Sequence, residues 1–170
     1  TPTATPTGAN TATPTPTPVA GLTINEVCIQ PLTDNNLDGV VNAHDRAIEL
    51  LNWNSSRIDL RGYRLEFSIS TTANLCQSDT DTSLTYILPR YSYIAANNYK
   101  VIYDESLVNL VGETFDMPQA GTVALCNAAG TLLSVLHYNS QAAGTCWAKV
   151  PNGGNVWLFN QVQSLGKLNP

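Results

Sequence analysis

Charge is scarce in this chain of 170 residues: only 12% are Asp, Glu, Lys or Arg, about half the usual share for a soluble domain. Eight Lys and Arg against thirteen Asp and Glu leave a net charge of −5. That balance opposes a basic footprint for nucleic acid or an anionic membrane. No apolar run approaches the length of a membrane span, so membrane insertion is not expected. The single methionine is Met117, and the chain is therefore read as a mature or excised piece. Catalytic signatures are missing as well: there is no HExxH, no G-x-S-x-G and no phosphate-binding loop. Asp104 and Glu105 are adjacent. Neighbours on a strand point to opposite faces, so these two read as a charged strand end rather than a carboxylate pair. The absences together argue against an enzyme.

The four cysteines, Cys28, Cys76, Cys126 and Cys146, form no CxxC pair, which disfavours a zinc knuckle or a dithiol redox motif. An even number of widely spaced cysteines in a Lys-poor chain points to two disulfides and an oxidising compartment. Three pairings are open.

Residues 1–18 read TPTATPTGANTATPTPTP and hold five of the ten prolines and no charge. Proline fixes φ and biases the preceding residue away from helix, so this arm (domain limits 1–20) is expected to be extended. It reads as a flexible linker, or as a stalk whose threonines, Thr1, Thr3, Thr5, Thr7, Thr11, Thr13, Thr15 and Thr17, are candidates for O-glycosylation. At about 3.1 Å per residue the arm spans roughly 55 Å, against about 40 Å for the diameter of a domain of this size. It is long enough to cross a neighbouring subunit, and a head-to-tail contact of that kind builds a filament.

Residues 21–170 have the texture of an all-β domain. The runs LTINEVCIQ, GYRLEFSIS, LTYILPR, NNYKVIYDE, GTVALCN, TLLSVLHY and TCWAKVP are short, rich in β-branched residues and bounded by Gly, Asn, Asp or Pro, as strands are. NAAGT reads as a hairpin turn with Gly130 in the left-handed position. Strands at this spacing suggest a β-sandwich, with Ile24, Val27, Ile48, Leu50, Leu60, Leu65, Leu88, Val101, Val123, Leu125 and Val135 as its expected core.

One connection carries a ligand pattern. Asp34, Asn36 and Asp38 stand at positions 1, 3 and 5 of a twelve-residue loop, Gly39 at 6, Val40 at 7, Asn42 at 9 and Asp45 at 12. Hard oxygen donors at this spacing, with Val40 offering its carbonyl, suit Ca2+ in EF-hand fashion, Asp replacing the usual Glu. A plain Asx-rich turn would explain the residue types but not their spacing. The shorter Asp45 points to a weak site, roughly 10⁻⁴–10⁻³ M or somewhat tighter. The loop is similar to that of dockerin modules, but those carry two loops, and there is no second one here.

The order of the motifs resembles the bacterial lamin tail domain. Ile24-Asn25-Glu26-Val27 matches its I-N-E-V, Ile48-Glu49-Leu50-Leu51-Asn52 its I-E-L-Y-N, and Ile58 to Leu65 its V-D-L-S-G-W-x-L. Tyr93 to Tyr103, Gly121 to Leu125 with Gly130-Thr131, Trp147 to Gly153 and Leu165 to Pro170 continue the likeness. Asn97 and Asn98 replace two turn glycines, which Asn tolerates. Arg46 replaces an acidic residue that often follows the loop. The resemblance implies an immunoglobulin-like sandwich, an extracellular accessory role and no reaction.

Several features stay open. Asp79 and Asp81 read as a polar loop, or a second ion site. His44 lies in the calcium loop and His137 on the last hairpin. Trp147 is assigned to packing, while Trp53 and Trp157 could be stacking platforms for glycans. Asn54-Ser55-Ser56 is an N-glycosylation sequon. The reading that unites these features is a non-catalytic, calcium-stabilised extracellular module. Its partners would be copies of itself or another cell-surface protein. A glycan-binding accessory module is the alternative.

Overall fold

The computed structural model describes residues 21–73, 75–76, 84–109 and 112–169. The arm with its threonines, Asp79 and Asp81 lie outside the described residues. The chain forms strands β1 (Leu22–Cys28), β2 (Ala47–Asn52), β3 (Ile58–Asp59), β4 (Arg64–Ser68), β5 (Leu84–Ile87), β6 (Tyr93–Ile94), β7 (Asn98–Tyr103), β8 (Gly121–Cys126), β9 (Leu132–Tyr138), β10 (Thr145–Lys149) and β11 (Trp157–Val162). They make a five-stranded sheet β11-β10-β1-β2-β7, a four-stranded sheet β5-β4-β8-β9 and the ribbon β3-β6. All pairings of the named strands are antiparallel. This is the expected sandwich. Each run read as a strand is one, and the segment matched to the I-E-L-Y-N motif lies in the strand Ala47–Asn52.

The core lies between the two large sheets. Ile24, Val27, Ile48 and Leu50 meet Leu65, Phe67, Val123, Leu125, Leu136 and Tyr138 there. Ile24 and Val27 are three residues apart, a spacing that would put them on opposite faces of a regular strand. A register shift between Ile24 and Glu26 re-phases β1, so both reach the core; this is the work of a β-bulge. Asn25 and Glu26 are fully buried too, under the chain that closes the domain.

Two expected core residues are displaced. Val101 and Val135 are only half-buried. Residues directly opposite in an antiparallel pair share a face, and Ile48 faces Ile102 while Glu49 faces Val101. Likewise Val123 faces Leu136 and Ala124 faces Val135. Ile102 and Leu136 therefore enter the main core, and Val135 packs on a smaller cluster of Ala73, Leu75, Cys76, Ala124 and Cys126.

Both disulfides are formed. Cys28–Cys146 joins β1 to β10, and Cys76–Cys126 ties the segment after β4 to β8. Gly130 turns the β8–β9 hairpin at φ 82, and Asn97 replaces a turn glycine at φ 50.

Candidate functional site

Ala47 is paired with Tyr103 at one end of β2 and β7. The connection that leads into β2 therefore lies beside the turn that leaves β7. Each contains a short 3-10 turn, Ala43–Asp45 and Asp104–Ser106. The acidic loop 34–45 and Glu105 meet there.

The loop is shaped by its own side chains. Asp34 Oδ1 accepts from the Asp38 amide at 3.1 Å and Oδ2 from the Gly39 amide at 2.8 Å. Asp38 Oδ1 accepts from the Val40 amide at 2.8 Å. Gly39 has φ 92, the sharp bend expected at position 6. Asn42 caps the first 3-10 turn by accepting from the His44 amide. Asp45 is fully buried, and its two oxygens accept from the amides of Asn35, Asn36 and Asn42. Burial raises the Asp45 carboxyl, but these amides outweigh it and hold the group below its ordinary range. Asn42 and Asp45 are thus engaged in folding the loop.

Asp34, Asn36 and Asp38 come together on the exposed side. Asn36 Nδ2 donates to Asp38 Oδ2 at 3.2 Å and to Glu105 Oε2 at 3.0 Å. Ligand atoms of Asp38, His44 and Glu105 lie within 4.8 Å of one another. Among the described residues, no Lys or Arg forms an ion pair with any of these carboxylates. The Asn36 amide bridges the Asp38 and Glu105 carboxylates and His44 stands beside them; carboxylate oxygens are the donors a hard divalent cation takes. Glu105 could not be found from the loop spacing, because the β2–β7 pairing alone brings it there. Two further groupings, Glu26-Cys28-Cys146 and Glu66-Cys76-Cys126, involve disulfide-bonded sulfurs that offer no thiolate.

Asp104 departs from the expected strand end. It is buried in the second 3-10 turn and accepts from the Met117 amide. Burial raises its carboxyl above the usual range. Arg46 donates to the Met117 carbonyl at 2.9 Å.

A second polar cluster covers the outer face of β1 and β2. Asn25 Nδ2 donates to Glu49 Oε1 at 2.7 Å and to Asn152 Oδ1 at 2.8 Å, while Asn25 Oδ1 accepts from the Gly153 amide at 2.8 Å. Glu26 accepts from the Ser164 amide and hydroxyl, and Glu49 from the Gly166 amide. Asn169 donates to the Lys149 carbonyl at 2.7 Å. Burial pushes Glu26 up and Glu49 from 4.5 to about 7. These residues sit in the motifs that carried the family likeness, and they clasp the closing segment 164–169 onto the sheet.

The tryptophans are structural. Trp53 Nε1 donates to the Asn152 carbonyl at 3.0 Å. Trp147 packs on the core and lies 5.6 Å from the Phe159 ring. Trp157 also packs on the core and faces Lys149 Nζ at 5.3 Å. His137 is exposed, with Nδ1 2.8 Å from Thr122 Oγ1.

The family profile of the Lamin Tail Domain matches residues 15–140. No curated protein matches the chain.

Proposed function

This chain belongs to the lamin tail domain family, and on that premise we propose that it is a non-catalytic, calcium-stabilised module of an extracellular or cell-surface assembly. The two disulfides support folding in an oxidising compartment, the setting of extracellular domains. The observation that carries the calcium reading is the meeting of Asp38, His44 and Glu105, with Asn36 bonded to both carboxylates, where among the described residues no Lys or Arg forms an ion pair with them. Asp34, Asn36, Asp38 and the Val40 carbonyl hold the ion, and Glu105 adds a carboxylate from the neighbouring turn. Asn42 and Asp45 give the loop its shape. The ion fastens the β1–β2 connection to the end of β7.

The Thr/Pro arm supplies the contact with a neighbouring copy or another surface protein. It is long enough to cross such a neighbour, and its prolines favour groove packing over strand addition.

Two measurements test these points. Calorimetry with calcium should show binding, and a chelator should lower the melting temperature. The effect is about 2.7 kcal/mol at a hundredfold excess over the dissociation constant. Asp38→Ala and Glu105→Ala should remove the chelator's effect. An unchanged melting temperature with no heat of binding rejects the ion. Electron microscopy before and after deletion of residues 1–18 tests the arm: filaments that survive the deletion, or monomers in both samples, reject its role in assembly.

A further inference from the structure

The cations of this acidic chain are unevenly placed. Arg57, Arg61, Arg90 and Lys100 are half of its eight. All four line two adjoining clefts, of about 260 and 430 Å³, that flank the turn 90–93. The clefts lie where β3 pairs with β6, next to the Asn52–Asn98 end of β2 and β7. The acidic loop is at the other end of the same strands.

Tyrosines stand between the clefts. Tyr91 is 84% and Tyr93 57% exposed. Tyr91 has φ 77, a left-handed backbone that a bulky residue adopts only at a cost and that clusters at functional sites. The Arg57 guanidinium lies 5.2 Å from the Tyr93 ring centroid, and that of Arg90 lies 5.8 Å from the Tyr91 ring centroid. Stacking occupies the flat face of a guanidinium and leaves its in-plane N–H donors free for an anion. Among the described residues Arg57, Arg90 and Lys100 form no ion pair. Arg61 approaches exposed Asp59 only at 4.0 Å.

We propose that this arginine–tyrosine surface binds an acidic polysaccharide. The arginine forks call for carboxylate or sulfate. The tyrosine rings offer flat apolar faces to the C–H face of a sugar. Asp59 and Ser92 line the same cleft as Arg57 and Arg90, and a carboxylate there calls for hydroxyl donors. An acidic sugar chain presents anion, hydroxyls and apolar face in each repeat, and the two clefts either side of the Tyr91–Tyr93 ridge suit an extended polymer. Nucleic acid fits less well. Four cations on a chain of net charge −5 are few for a continuous phosphate backbone.

The site is distinct from the calcium loop, and its test is independent of that reading. The full chain is titrated with a galacturonate hexamer, a heparin-derived sulfated hexasaccharide, neutral maltohexaose and a DNA duplex. One or both acidic oligosaccharides should bind, and which of them does identifies the anion. Binding should weaken with added salt and persist in chelator. Arg57→Gln and Arg90→Gln should each weaken it about tenfold or more without changing the melting temperature. Tyr91→Gly relieves the left-handed strain, so it should weaken binding while melting no lower than the parent. A merely structural Tyr91 would not separate those two readouts. The proposal is overturned by equal affinity for maltohexaose, by binding that survives both arginine substitutions, by binding of DNA alone, or by no binding of either acidic oligosaccharide.

Discussion

Asn25 and Asn152 stand 127 residues apart in the sequence and are joined side chain to side chain at 2.8 Å. Asn25 also holds Glu49 and the Gly153 amide, so one buried amide group ties β1, β2 and the turn after β10 together. Asn25→Ala leaves Glu49 Oε1 and the Gly153 amide without their partner in a buried site, while Asn152 Oδ1 keeps the Asn169 amide. The expected loss is about 2–4 kcal/mol, measured by urea unfolding.

Stability should fall as pH rises through the neutral range. Burial lifts Glu49 to about 7 from 4.5, so the folded chain binds this proton more tightly than the unfolded chain. The contribution is fully present below 4.5 and is lost as pH climbs through 7. Glu26 acts in the same direction. Glu49→Gln, which cannot ionise, should flatten this slope in a series of melting curves. Asp45 acts oppositely: its carboxyl is held below 3.8, so its contribution is lost only on strong acidification.

Gly153→Ala should be severe. A Cβ at this position would fall 1.6 Å from Trp53 Nε1, and the backbone has φ +66. The indole must leave its bond to the Asn152 carbonyl. The expected cost is about 2–3 kcal/mol, with a shift in tryptophan emission as the check.

The two disulfides should differ in worth. Cys28–Cys146 closes a separation of 118 residues and Cys76–Cys126 one of 50. On the loop-entropy account, replacing the longer bridge by alanines costs about 0.8 kcal/mol more than replacing the shorter. Denaturant midpoints of the two double variants give the comparison.

The sandwich was legible because its strands are short, β-rich and separated by turn residues. The motif Ile24 to Val27 was legible as a pattern but not as a cause. Its bulge, and the partners of Asn25 and Glu26, depend on Asn152, Ser164 and Gly166, which meet them only in the folded chain. Val101 and Val135 were misplaced for the same reason: a run such as Lys100-Val101-Ile102 offers apolar side chains to both faces, and cross-strand register decides between them. β11, the ribbon β3-β6 and Glu105 also lacked a local signal. Trp53 and Trp157 are the rings that composition offers as platforms, whereas Tyr91, Tyr93 and Phe159 are the large aromatic side chains that stand exposed among the described residues. A strained turn holds Tyr91 outward, and no feature of composition announces such a turn.

The bridge between β1 and β10 also determines how the domain carries load. A pull applied between Gly21 and Asn169 travels along β1 to Cys28, crosses the covalent bond to Cys146 and leaves through β10 and the closing segment. Everything between those cysteines, including the acidic loop and the arginine–tyrosine surface, lies off the line of force. Tension can peel the clasp formed by Glu26, Glu49 and Asn25 and loads β1, β10 and β11 directly, yet the sheet β5-β4-β8-β9 lies wholly off the covalent path. Residues 29–145, which carry both surfaces, cannot be drawn out by such a pull while the bridge is intact.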